Sequence, residues 1–206
     1  MQITKIVITG GPCGGKSSAM KYVREAFEPL GYTVIVVPET ATELIGGGVT
    51  PLGCNTRRDF QYCQLQLQLK KEEIYAEAGR RMPGDKLLLI CDRGAIDSKA
   101  YQKPADYYQT LSELHLDEVQ LRESYDAVFH LVTAADGALE YYTLANNAAR
   151  TETPEEAVGI DRRTRLAWAG HPYLRVIDNS TGFEEKMRRL IAEIKFFLDF
   201  MFEKPI

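Results

Sequence analysis

The stretch Gly10-Gly11-Pro12-Cys13-Gly14-Gly15-Lys16-Ser17 joins a β-branched run, Ile3 to Thr9, to a helical pattern that begins at Lys16. It has the form GxxxxGK[ST], placed between a strand and a helix. Its glycines let the chain wrap so that successive backbone N–H groups point at one anion, and the following helix adds the positive end of its dipole. A loop of this kind cradles phosphates. Lys16 is expected to reach the β and γ phosphates and the Ser17 hydroxyl to coordinate Mg²⁺. Gly11, Pro12, Cys13, Gly14, Gly15, Lys16, Ser17 and Ser18 are therefore the candidate nucleotide-binding residues.

The rest of the chain alternates short apolar runs with longer helical patterns. Thr33 to Val37, Leu87 to Cys91, Ala127 to Val132 and Leu174 to Ile177 read as further strands, and two of them are near-continuously apolar, as strands buried on both faces are. Between them the patterning predicts helices over Lys16 to Glu28, Arg57 to Met82, Leu139 to Ala149, Thr153 to Ala169 and Phe183 to Phe202. A short helix and glycine-rich loop fall in Ala41 to Gly53. Strands that alternate with helices need parallel crossover connections. The expected fold is an α/β three-layer sandwich, a five-stranded parallel sheet in one domain over 1–206, with a helical lid near 138–170. Ligands of such sheets bind beyond the carboxyl ends of the strands.

Charge and cysteine content narrow the partners. With 25 basic and 29 acidic residues the net charge is −4, so a general nucleic-acid-binding surface is not expected. The four cysteines, Cys13, Cys54, Cys63 and Cys91, have neither disulfide-framework nor zinc-site spacing. Packing is their expected role, with a redox-sensing Cys13 as the alternative. No apolar run reaches the length of a transmembrane span, and the chain opens on a strand pattern rather than a signal-peptide layout. A soluble, cytoplasmic protein is expected.

Other candidates come from the strand ends. Asp92-Arg93-Gly94 follows the Leu87 to Cys91 run, where Asp92 can hold Mg²⁺ and Arg93 can neutralise phosphate charge; the plain alternative is a helix cap and a surface pair. Glu39, after the second strand, is either the base that takes a proton from an attacking hydroxyl or a first-turn glutamate that favours its helix dipole. Arg150, Arg162, Arg163 and Arg165 make either an arginine-bearing lid, with Arg150 and Arg165 as catalytic candidates, or an ion-paired solvated helix. Asn179, in Asn179-Ser180-Thr181-Gly182, either contacts the nucleotide base or belongs to a turn. Gln61, Gln64 and Gln68 share a helix face that is read as solvated rather than as an acceptor pocket.

Ile6 to Pro12, Val37-Pro38-Glu39-Thr40-Ala41-Thr42, Ile90-Cys91-Asp92-Arg93-Gly94-Ala95, Gly170-His171-Pro172-Tyr173 and Val176 to Thr181 together resemble the AAA-type P-loop NTPase/kinase-like domain of the insect TRPL translocation defect protein family. That group is similar to nicotinamide riboside kinase domains and, more distantly, to deoxynucleoside kinases. The resemblance implies a nucleotide-kinase-like sheet, bound ATP or GTP with Mg²⁺, and a phosphotransferase acting on a small metabolite. It also implies, as an alternative, a slow NTPase switch that binds a protein or acidic lipid. Deoxynucleoside kinases carry Ser where this chain has Gly94.

Overall fold

A computed structural model describes residues 2–142 and 152–202. Five strands form in the expected places: β1 (Gln2–Thr9), β2 (Tyr32–Val37), β3 (Lys86–Asp92), β4 (Ala127–Leu131) and β5 (Leu174–Ile177). They make one all-parallel sheet in the order β2-β3-β1-β4-β5. β1 is central because it is apolar on both faces: Ile6, Val7 and Ile8 are all fully buried. Ile6 and Ile8 face one side and Val7 the other, as the two-residue period of a strand dictates.

Helices cover both faces. On one, α1 (Lys16–Phe27) and α7 (Phe183–Phe202) bury Val23, Phe27, Leu190, Ile194 and Phe197 against Ile6, Ile8, Leu88 and Phe129. On the other lie α3 (Arg57–Arg80), α4 (Pro104–Glu113), α5 (Glu118–Glu123) and α6 (Pro154–Ala167), whose Leu65, Tyr107, Leu121 and Ala167 meet Val7, Leu89 and Val128. Each fully buried Val, Leu, Ile or Phe side chain here contributes about 1.5–3 kcal/mol. A short α2 (Thr40–Gly46) follows β2, and a 3-10 helix over Ala95–Tyr101 follows β3.

The expected lid divides. Leu139–Tyr141 is a 3-10 turn, and most of the helix expected over Leu139 to Ala149 lies outside the described residues. α6 is not an arm held over the sheet. Ala157, Ile160, Asp161, Thr164, Ala167 and Trp168 are buried, so its inner face belongs to the core. Trp168 Nε1 donates to Asp97 Oδ1 at 2.7 Å, which ties the end of α6 to the turn after β3. The glutamine face of α3 also differs from expectation. Gln61 and Gln68 are buried, and Gln68 bridges Thr40, Glu72 and the Arg93 carbonyl. A stripe of glutamines has the pattern of a wet face, but here Gln68 meets a buried hydroxyl, a carboxylate and one backbone carbonyl, groups that an apolar side chain would leave unsatisfied.

Candidate functional site

Strand order creates the site. β1 lies between β3 and β4, and the phosphate loop leaves β1 at the point where the connections diverge to the two sides. Ile8 is in register with Asp92 and Thr9 with His130, so β3 and β4 deliver these side chains to either flank of the loop's root. Gly10 lies at φ 136°, and a Cβ there would stand 2.0 Å from the Leu131 carbonyl oxygen; only glycine turns the chain so tightly against β4.

Lys16 is 5% exposed and folds back to donate to Gly10 O at 3.1 Å and Gly11 O at 2.7 Å. Ser17 and Ser18 are exposed at the start of α1. Pro12 O accepts from Thr133 Oγ1, and Cys13, at φ 56°, accepts from Ala134 N at 3.3 Å.

Arg93 and Glu39 meet on the β3 side. Arg93 sits at φ 68° with its N–H on Ile8 O at 3.1 Å, a left-handed residue that turns its side chain toward the loop. Its Nε donates to Glu39 Oε1 at 2.6 Å and its Nη1 to Gly10 O at 3.0 Å, while Thr42 donates to Glu39 Oε2 at 2.6 Å. Burial alone would push the Glu39 carboxyl up, but the Arg93 and Lys16 cations and the hydrogen bonds from Thr42 and Arg93 hold it at about 2. As found, Glu39 is a firmly ionised partner of Arg93 and a weak base. Asp92 behaves in the opposite way: burial, then Glu39, push it up to about 6 against the pull of Lys16 and Arg93.

The residues fit a bound Mg²⁺. Asp92 Oδ1 is buried with no hydrogen-bond partner among the described residues, and an oxygen in that condition is stabilised by a cation or its water. No cluster of three or more His, Cys, Asp or Glu that could hold a metal occurs among the described residues. One carboxylate and one hydroxyl suit Mg²⁺, which keeps several waters and takes phosphate oxygens for the rest of its octahedron.

On the β4 side are residues that no sequence motif marked. Asp161 of α6, 4% exposed, accepts from Gly11 N at 2.7 Å and Thr133 N at 3.0 Å through Oδ1, and its Oδ2 lies 3.0 Å from His130 Nε2. Burial opposes its charge, but His130 and the two amides keep the carboxyl below its ordinary value. A Cβ on Gly11 would stand 2.8 Å from both Asp161 Cβ and Oδ1, so α6 reaches the loop only because glycine is there. Asn179 is placed beside the loop, but its amide donates to Thr133 O at 2.7 Å and Asp136 O at 2.6 Å, holding two loops together. Of the arginines, Arg150 lies outside the described residues, Arg162 and Arg165 are exposed, and Arg163 Nε donates to Ala100 O at 2.9 Å. Arg165 is one turn beyond Asp161 toward the end of α6 that leads to the start of β5.

A parallel sheet in this order, a glycine loop wrapped at the end of its central strand and a buried lysine folded into that loop define a P-loop nucleotide-binding domain. A family model described as an AAA domain matches residues 5–186, and the chain belongs to that family. Domains of this class bind nucleotide, typically with Mg²⁺. No curated protein matches the chain. Among the described residues no helix is long and apolar enough to cross a membrane.

Proposed function

We propose that this is a Mg²⁺-dependent phosphotransferase that moves the γ phosphate of ATP or GTP to a hydroxyl of a small metabolite. The observation that carries the reading is the Arg93–Glu39 pair, which places a carboxylate from β2 beside the cation from β3 and the loop from β1. In the reaction, Arg93 exchanges Glu39 for phosphate oxygens as the nucleotide arrives, which frees Glu39 and raises its basicity. Glu39 then takes the acceptor's hydroxyl proton as that oxygen bonds to the γ phosphorus, whose bond to the bridging oxygen breaks to release the nucleoside diphosphate. Lys16 and Arg93 stabilise charge on the transferred group. Ser17 and Asp92 are the residues that would hold Mg²⁺, which would supply neutralisation of phosphate charge.

The resemblance to nicotinamide riboside kinase domains and deoxynucleoside kinases supports a nucleoside-like acceptor. A cytoplasmic setting, and one domain over 1–206, belong to the same reading. A second reading, a slow NTPase switch that reports nucleotide to a protein or acidic-lipid partner, is favoured by the Asp161–Gly11 link, which joins the loop to a whole helix.

Release of ADP or GDP, measured with and without a panel of nucleosides, nicotinamide riboside and sugars, separates the two. Strong acceptor dependence that Glu39→Gln removes supports the phosphotransferase. Turnover indifferent to every acceptor leaves the switch, and an acceptor-dependent rate untouched by Glu39→Gln overturns Glu39 as base.

A further inference from the structure

Lys186, in the first turn of α7, is 3% exposed, and nothing in the chemistry above uses it. Its ammonium donates to Val132 O at 2.7 Å, Asn179 Oδ1 at 2.8 Å and Gly14 O at 3.1 Å. All three acceptors are neutral. A buried charge without a carboxylate against it is costly, and this one is spent on holding the end of β4, the turn after β5 and the phosphate loop at a single point.

The contact with Gly14 has a directional consequence. In a planar trans peptide the C=O and the next N–H point opposite ways. The Gly10–Gly11 peptide displays this in the same loop: its carbonyl takes Arg93 and Lys16, and its N–H points the other way, onto Asp161. That peptide is satisfied at both ends. For Gly14–Gly15, Lys186 takes the carbonyl, and no acceptor among the described residues takes the Gly15 N–H. That N–H is left for a ligand, on the side of the loop away from Lys186.

We propose that Lys186 is a positioning residue for the phosphates: by anchoring Gly14 O it turns the Gly15 N–H into the loop, and its charge polarises that peptide and favours the anion. This rests on the reading of the loop as a nucleotide site. Burial depresses Lys186 to about 8, against the opposing influence of Asp161 of α6 and Asp178 after β5 and with a smaller contribution from Arg189 of α7. A triphosphate in the loop draws the charge back, so binding takes up a proton and affinity falls as pH rises through that value.

The test measures affinities of ATP and GTP, their diphosphates, adenosine and guanosine for the wild type and Lys186→Met. Loss of about tenfold or more for the phosphate-bearing ligands, with the nucleosides changed less than about twofold, is expected. Equal loss across all ligands makes Lys186 a structural residue only, and unchanged triphosphate binding also overturns the proposal. Should Lys186→Met not fold, the wild type decides. Its triphosphate affinity should fall about tenfold between pH 7 and 9; a flat profile overturns the proposal. A wild type that binds no triphosphate overturns the nucleotide reading and this one together, whereas normal wild-type binding with an unaffected Lys186→Met overturns this one alone.

Discussion

Asp161 should be the residue outside the glycine motif on which the loop most depends. Asp161→Ala deletes acceptors for Gly11 N and Thr133 N and the partner of His130, all of them buried. A hydrogen bond to a charged group contributes about 1.5–3 kcal/mol, and each orphaned buried donor costs about 1–3 kcal/mol. The three contacts share one side chain and do not add. A loss of about 3–5 kcal/mol is expected, since two buried donors are orphaned and the His130 contact goes with them. Asp161→Asn keeps an oxygen where Oδ1 stands, so both amides stay satisfied and only the charge and the His130 contact are lost; about 1–2 kcal/mol is expected. The Asp161 carboxyl is held below its ordinary value, so its stabilisation is present above about pH 4 and disappears as pH falls below that. Urea unfolding from pH 7 downward reads this out, with Asp161→Asn approaching the wild type as pH falls and Asp161→Ala staying below both, because its two orphaned amides are not relieved by protonation. The reasoning is refuted if Asp161→Ala lies within about 1 kcal/mol of the wild type at pH 7, or if Asn is as costly as Ala.

Three further outcomes follow from the same geometry. Lys16→Ala should abolish nucleotide-induced thermal stabilisation; at 100 times Kd the wild type gains about 2.7 kcal/mol, roughly 5–10 °C for a chain of this size, and an equal shift in the variant removes the loop from the binding site. Glu39, held at about 2 against an ordinary 4.5, contributes stability that is complete above pH 4.5 and lost as pH falls toward 2, in total about 3 kcal/mol; denaturation followed from pH 6 to 2 should show a shallower acid slope in Glu39→Gln than in the wild type, the remainder coming from carboxyls such as Asp161, and equal slopes would refute it. Gly10→Ala sets a Cβ 2.0 Å from Leu131 O at a φ that other residues avoid, so a loss of at least about 3 kcal/mol in a thermal or urea melt is expected, and a wild-type melt would show that the turn can relax.

What could be read in the sequence depended on whether a residue's chemistry is local. The strands were legible because Ile6-Val7-Ile8 and Leu87 to Cys91 are apolar without interruption, and the loop was legible because its spacing is local by nature. Asp92 and Arg93 could be located because a strand end is a predictable place. Asp161 and Lys186 could not, since each acts on a segment more than a hundred residues away. Lys186 did leave a trace: it occupies the apolar face of α7, four residues before Leu190 and eight before Ile194, both fully buried. A lysine on a core-facing stripe signals a buried acceptor. Asp161 sits one residue after the buried Ile160 amid charged neighbours, where it looks like one more solvated carboxylate. The glutamines of α3 misled for the same reason, because residue type alone does not say whether the opposing surface is water or buried polar groups.

The net charge of −4 argued against polyanions, yet the cations around the loop are placed by a different logic from a surface patch. Lys16, Arg93 and Lys186 are each less than a tenth exposed, and each grips a carbonyl of the loop. For Lys186 the grip also turns a peptide, since drawing back Gly14 O aims the Gly15 N–H at the ligand side, so one of the charges that attract phosphate also orients a group that binds it. Such cations are shielded from mobile ions, unlike exposed ones whose effect fades beyond a Debye length of about 8 Å at physiological salt. Triphosphate affinity should therefore depend only weakly on salt, by less than about threefold between 50 and 200 mM, where displacement of counterions from an exposed basic surface gives a steep power law. A titration of Kd against salt at fixed Mg²⁺ decides it. A steep slope would mean that exposed arginines, Arg162 or Arg165 among them, carry the binding, and that the buried cations serve the fold more than the ligand.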